Sequence, residues 1–237
     1  MRALGLSLFA VLTACDPEPV VVTLSAAEYG EKLFADPALS DATSNRVSCA
    51  DCHATTLEST FLSGGSLKGV TKRPSYWGGA ELDLLRSINH CRYYFMAANK
   101  LWTGEEDEAV ATYAFLESIS SDEQGTEPQP FELGEVKDMK PGDAARGARV
   151  FDAACRSCHG ASTSGLGAIV PSADRLPEDT LASHPEPEYS DEDRRLVFVE
   201  KTRHGGFLGY GGTMPPFSVN VMSDEDLADL LTFLRLP

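Results

Sequence analysis

Cys49-Ala50-Asp51-Cys52-His53 and Cys155-Arg156-Ser157-Cys158-His159 decide how this chain is read. Each is C-x-x-C-H: two thiols with two residues between them, then an imidazole. A redox C-x-x-C or half of a zinc site would account for the thiols. Neither accounts for a histidine recurring at the same offset. Thiols at this spacing add across the two vinyl groups of one haem, and the next residue, the histidine, lies under the iron as proximal ligand. The pair predicts two covalently bound haem c groups, one at Cys49, Cys52 and His53, the other at Cys155, Cys158 and His159.

Two of the six cysteines remain, Cys15 and Cys91. Ahead of Cys15 stand Arg2, an apolar run from Ala3 to Leu12, and Leu12-Thr13-Ala14. The run suits a signal-peptide core and is too short to span a bilayer. Residues 1–14 read as a signal peptide, or as an ordinary secretory signal with Cys15 a bystander. Leu12 to Cys15 resembles a bacterial lipobox. The resemblance implies cleavage before Cys15 and lipid on its new N-terminus, with residues 15–24 a tether. Acyl chains worth ~0.8 kcal/mol per buried CH₂ would hold it to a membrane. Asp16, by resemblance to enterobacterial lipoproteins, implies the inner membrane. The expected location is the periplasmic side of the bacterial cell envelope. With Cys15 lipidated, Cys91 has no cysteine left to pair with.

Acidic residues outnumber basic ones 36 to 20, for a formal charge of −16. Nucleic acid is excluded as a partner on this ground, because binding it requires a basic surface. The same acidity would steer a basic redox protein, donor or acceptor. A length of 237 residues suits two domains of roughly 100 residues each.

The expected fold is mainly α, with two tandem domains, each built around a covalently bound haem. In the second half, Asp143 is placed to cap a helix through Ala154, carrying Gly147 and Phe151 on one face. Ser190 starts another, acidic at its beginning and basic at its end. Gly205 to Gly212 leads to Thr213-Met214-Pro215-Pro216-Phe217. Ser223 caps a last helix whose Leu227, Leu230, Leu231 and Leu234 follow the i, i+3, i+4, i+7 rule. This order resembles a class I cytochrome c domain over 143–237. The resemblance implies Met214 as distal iron ligand, with Met222 the alternative.

The first half, 25–120, repeats the plan. Ser25 and Glu28 form a capping box. Gly30 and Phe34 are spaced as Gly147 and Phe151 are, but eleven more residues separate Phe34 from Cys49 than Phe151 from Cys155. Ala80–Lys100 is predicted as one long helix, and Thr103 to Glu106 as a second capping box opening a helix to Ile119. The acidic run from Glu105 reads as that helix's solvated start. Residues 121–142, broken by Pro and Gly, are predicted as a linker.

No Met-Pro loop exists in the first half, and the distal ligand there has several candidates: Cys91, Met96, His90, or an open position. On a helix, Leu84, Ile88, Cys91 and Phe95 share an apolar stripe, so Cys91 reads either as core or as a thiolate ligand. Ile88-Asn89-x-Cys91 with Met96 and Leu101 resembles Sox-type sulfur-oxidising cytochromes and diheme thiosulfate dehydrogenases, in which a thiolate opposite histidine marks the catalytic haem. Tyr94 stands where those dehydrogenases have arginine. The stretch from Gly30 to Ser40, followed by Ser48 to His53, is similar to bacterial diheme cytochrome c peroxidases, although the chain is shorter than they are. Lys68, Lys72, Arg73, Tyr76, Trp77 and Trp102 are expected either to hold the propionates and wall the pocket or to be plain core. The functional expectation is electron transfer, with catalysis at the first haem or membership of a larger respiratory complex as rivals.

Overall fold

Residues 24–134, 139–206 and 212–236 are described by the computed structural model. The expected signal peptide, the lipid site Cys15 and most of the glycine-rich stretch after Gly205 lie outside the described residues. Helices α1 (Ala26–Phe34), α2 (Leu84–Tyr94) and α3 (Asp107–Ser118) form the first half. Helices α4 (Ala144–Val150), α5 (Arg156–His159), α6 (Glu178–Ser183), α7 (Asp191–His204) and α8 (Asp224–Phe233) form the second. Strands β1 (His53–Ala54) and β2 (Gly65–Ser66) are parallel, with His53 opposite Gly65 and Ala54 opposite Ser66. No described helix is long and apolar enough to cross a membrane.

The same helix crossing is built twice. In the first half α1 lies on α3, and a Cβ on Gly30 would stand 2.0 Å from the Ala111 carbonyl oxygen. In the second α4 lies on α8, and a Cβ on Gly147 would stand 1.9 Å from the Asp229 carbonyl oxygen. Only a residue without a side chain lets the backbones approach so closely. One turn further along, Phe34 meets Phe115 at 5.4 Å and 49°, and Phe151 meets Phe233 at 5.5 Å and 47°. The i, i+4 Gly–Phe spacing is therefore the sequence trace of a paired-helix scaffold.

Local chemistry fixes where these helices begin. Ser25 with Glu28, Ser190 with Asp193 and Ser223 with Asp226 are reciprocal capping boxes. Asp143 caps α4 by accepting from the Arg146 amide. Leu227, Leu230, Leu231 and Leu234 are all buried, each contributing roughly 2 kcal/mol by leaving water. The helix begun at Ala144 widens to a π turn over Phe151–Cys155 and runs on as α5. Such turns often re-aim side chains at functional sites.

One expectation is corrected. The helix predicted over Ala80–Lys100 is shorter. At its start the Glu81 carboxylate accepts from the Leu82 and Asp83 amides, and Asp83 caps the helix. At its end Ala97 takes a left-handed φ of 54° and the Ala98 amide returns to the Arg92 carbonyl. The segment predicted as a linker packs on the first half as a strap. Lys68 pairs with Asp122 at 2.9 Å and Lys72 with Glu123 at 2.7 Å. Arg73 Nε donates to the Gly125 carbonyl at 2.8 Å. Phe131 packs edge-on to Trp77 at 5.8 Å, and the Val219 amide donates to the Glu132 carbonyl.

Candidate haem sites

The second cavity lies inside the α4–α8 scaffold. Continuous helix through the π turn delivers Cys155, Cys158 and His159 to its wall, and Gly160, at φ 73°, ends that helix. His159 Nδ1 donates to the Asp174 carbonyl at 2.8 Å. A carbonyl can only accept, so Nδ1 carries the proton and Nε2 keeps the lone pair a metal needs. Burial lowers the His159 pKa and favours the neutral ring. The Asp174 carboxylate is itself held, by the Thr180 hydroxyl at 3.2 Å and Lys201 at 3.6 Å. Met214 lines the same cavity, its carbonyl accepting from the Gly206 amide at 2.8 Å. Gly205 permits this, since a Cβ there would stand 2.5 Å from the Met214 oxygen. Met222 is fully buried in the apolar core and does not line the cavity.

The first cavity receives Cys49, Cys52 and His53 from a short turn that leads into β1. The β1–β2 pairing brings Gly64 flat against the imidazole: a Cβ on Gly64 would stand 2.3 Å from His53 Cε1. Burial depresses the His53 pKa to about 4, so the ring is neutral. Its Nδ1 makes no well-formed hydrogen bond, although the Gly64 and Gly65 backbone adjoins the ring, whereas that of His159 is bonded. Burial also pushes the Cys49 and Cys52 thiols up, to about 11 and about 12. Paired neutral thiols and a neutral imidazole in an apolar wall are a donor set that fits haem c in both cavities.

Leu84, Ile88, Cys91 and Phe95, the predicted stripe of α2, all line the first cavity. Burial raises the Cys91 thiol above its ordinary value, so it stays protonated unless a metal draws off the proton. Met96 lines the cavity too and belongs to the apolar cluster around Leu33, Val47 and Trp102. His90 is exposed and lies against the Tyr94 ring at 6.0 Å, away from the cavity lining. Arg73, Tyr76, Trp77 and Trp102 line the cavity, whereas Lys68 and Lys72 turn to the strap.

The two cavities share a wall. Val47, Cys52, Ser63, Phe95 and Pro215 border both. Cys52 and Cys158 lie close enough for a charge on one sulfur to act on the other. The Arg46 amide donates to the Ile169 carbonyl and the Phe61 amide to the Val221 carbonyl, each at 2.9 Å, tying the halves together beside that wall. Sequence reasoning missed Ser63, Asp174 and the strap residues Gln129, Pro130 and Phe131, which close the first cavity. Only the Pro-Phe pair in an otherwise polar segment hinted at burial there.

This scaffold and site define the second half as a cytochrome c domain within a mainly helical chain. Residues 142–234 match the family model described as cytochrome c oxidase, cbb3-type, subunit III. A cytochrome c domain carries covalently bound haem c and serves electron transfer. Among solved structures the chain is similar to thiosulfate dehydrogenase (TsdBA) from Marichromatium purpuratum in its as-isolated form. That likeness has a TM-score of 0.44 and 14% identity, and covers 92% of this chain and 48% of that one. The chain thus spans about half the length of that structure. No curated protein matches the sequence.

Proposed function

We propose that the chain is a diheme c-type cytochrome that transfers electrons between redox proteins in the bacterial cell envelope. One haem is held by Cys49, Cys52 and His53, the other by Cys155, Cys158 and His159. Each thiol adds its sulfur and its hydrogen across one vinyl C=C bond, with no net oxidation. The bound haem supplies one-electron redox chemistry. The observation that carries this reading is the shared wall: Cys52 borders both cavities, and Cys158, which lines the second, packs against the same apolar cluster. Haem attached at both motifs would let an electron pass across that wall without leaving the protein.

His159 is oriented by Asp174, and Met214 supplies a thioether from the same cavity. A histidine–methionine pair raises the reduction potential; with a Cys91 thiolate holding the first site lower, electrons would run from the first site to the second. Lipid on Cys15 anchors the chain on the periplasmic side of a membrane. The acidic surface favours a basic partner. The test is a haem count by intact mass and pyridine haemochrome absorbance. Two haems are expected, falling to one in either Cys49→Ala/Cys52→Ala or Cys155→Ala/Cys158→Ala. One haem in the unaltered chain would overturn the reading.

A second reading has a specific observation behind it. Cys91 sits in the wall of the first cavity, within electrostatic reach of Cys49 and Cys52. As a thiolate opposite His53 it would make the first haem a catalytic centre for a small sulfur anion, as the sequence resemblance implies. Ligand exchange at that iron on adding thiosulfate would favour this reading.

A further inference from the structure

Arg92 follows Cys91 on α2 and is 3% exposed. Its guanidinium lies 3.9 Å from the centre of the Trp102 ring, and Nη1 donates to the Lys100 carbonyl at 2.9 Å. Nε is buried and has no partner. Among the described residues no carboxylate forms an ion pair with it; Asp41, Glu106 and Glu108 act on it only from a distance. Arg203 gives the contrast. It is equally buried and its Nε is unpartnered too, but two carbonyls and Asp224, at 2.7 Å, take its charge, as no described carboxylate does for Arg92. A buried guanidinium without a counter-ion is costly, and Arg92 lines the first cavity. The Thr112 hydroxyl, also buried and unpartnered, lines it as well. A largely apolar cavity with these two unsatisfied polar groups and His53 Nδ1 in its wall is built for an occupant that is partly polar.

We propose that Arg92 is an anion-holding side chain of the first cavity. Its guanidinium receives a carboxylate or similar oxyanion, brought as a propionate of the first haem or as a small free anion. The inference rests on the reading that this cavity holds haem. Trp102 and the Lys100 carbonyl fix the plane of the guanidinium and leave its Nε edge to donate. Arginine suits this task because its planar fork meets two oxygens at once.

The experiment uses the haem-loaded full chain, counted first by mass. Resonance Raman spectra are compared for the unaltered protein, Arg92→Gln and Arg92→Lys, and sulfate is titrated against each. A propionate bending band that shifts in Arg92→Gln and largely returns in Arg92→Lys supports the propionate source. A sulfate-dependent shift of the haem absorbance that Arg92→Gln abolishes supports the free-anion source. An unmoved propionate band together with an unchanged sulfate response would overturn the proposal. If Arg92→Gln does not fold, a crystal structure of the unaltered haem-loaded chain decides. An anion oxygen within about 3.2 Å of Nε supports the proposal, and its absence overturns it. A first motif lacking haem would sink the two-haem reading, whereas two haems with unmoved spectra would sink the role of Arg92 alone.

Discussion

Gly147 and Asp229 touch backbone to backbone: a Cβ on the glycine would stand 1.9 Å from the aspartate's carbonyl oxygen. The obstacle is main chain and cannot swing aside. Gly147→Ala is expected to force α4 off α8 and destabilise the second half by about 1–3 kcal/mol or more. Gly30→Ala meets Ala111 at 2.0 Å and should do the same to the first half. Thermal unfolding followed by circular dichroism checks both. Unchanged midpoints would show that the helices separate freely.

Asp229 carries a second prediction through its side chain. It is 1% exposed, and Arg146 Nε donates to it at 2.6 Å. The Arg146 hydrogen bond holds its carboxyl below the ordinary value of 3.8. A folded-state pKa lowered in this way gives stability that is complete above the unfolded value and lost as pH falls through the lowered one. Asp229→Asn should lower the melting temperature at pH 7, and the gap from the unaltered protein should narrow below about pH 4. A constant gap across that range would mean that the ion pair contributes nothing.

Met214 lines the second cavity and Met222 does not. Met214→Leu should abolish the thioether-to-ferric-iron absorption of the oxidised protein and lower the potential of one haem. Met222→Leu conserves volume in the core and should cost less than about 1.5 kcal/mol with no spectral change. The reverse pattern would exchange their roles.

Low-temperature electron paramagnetic resonance of the oxidised protein separates the ligand candidates at the first site. If the Cys91 thiolate is bound, a narrow-spread low-spin signal is present and Cys91→Ala removes it. If Met96 is the ligand, Cys91→Ala leaves the spectrum alone and Met96→Leu changes it. His90→Ala should change neither, since His90 lies on the exposed side of α2. A high-spin first haem would revive peroxide chemistry there.

The paired-helix scaffold was legible because its signals are local. Gly30 with Phe34, Gly147 with Phe151 and the serine caps sit a turn apart in sequence and act within that turn or on one partner helix. The thiol–imidazole motifs were legible for the same reason, their geometry being set by five consecutive residues. What escaped was long-range. The Gln129–Phe131 wall of the first cavity depends on Lys68, Lys72 and Arg73 drawing in an acidic segment some fifty residues on. Asp174 acts on His159 through its carbonyl, a group every residue has and no composition betrays. Arg92 read as a neighbour of Cys91, and only burial without a counter-ion made it conspicuous.

The strap also constrains the order of events in making the protein. Gln129, Pro130 and Phe131 close the first cavity, and Pro215, Pro216, Ser218 and Val221 close it from the far half. A chain delivered N-terminus first presents Cys49 to His53 well before any of these residues emerge. If the first motif takes haem, the interval in which its cavity stands open comes before those residues are in place. The second motif, walled from the first half by Val47, Cys52 and Phe95, would meet its haem with that part of its surroundings already delivered.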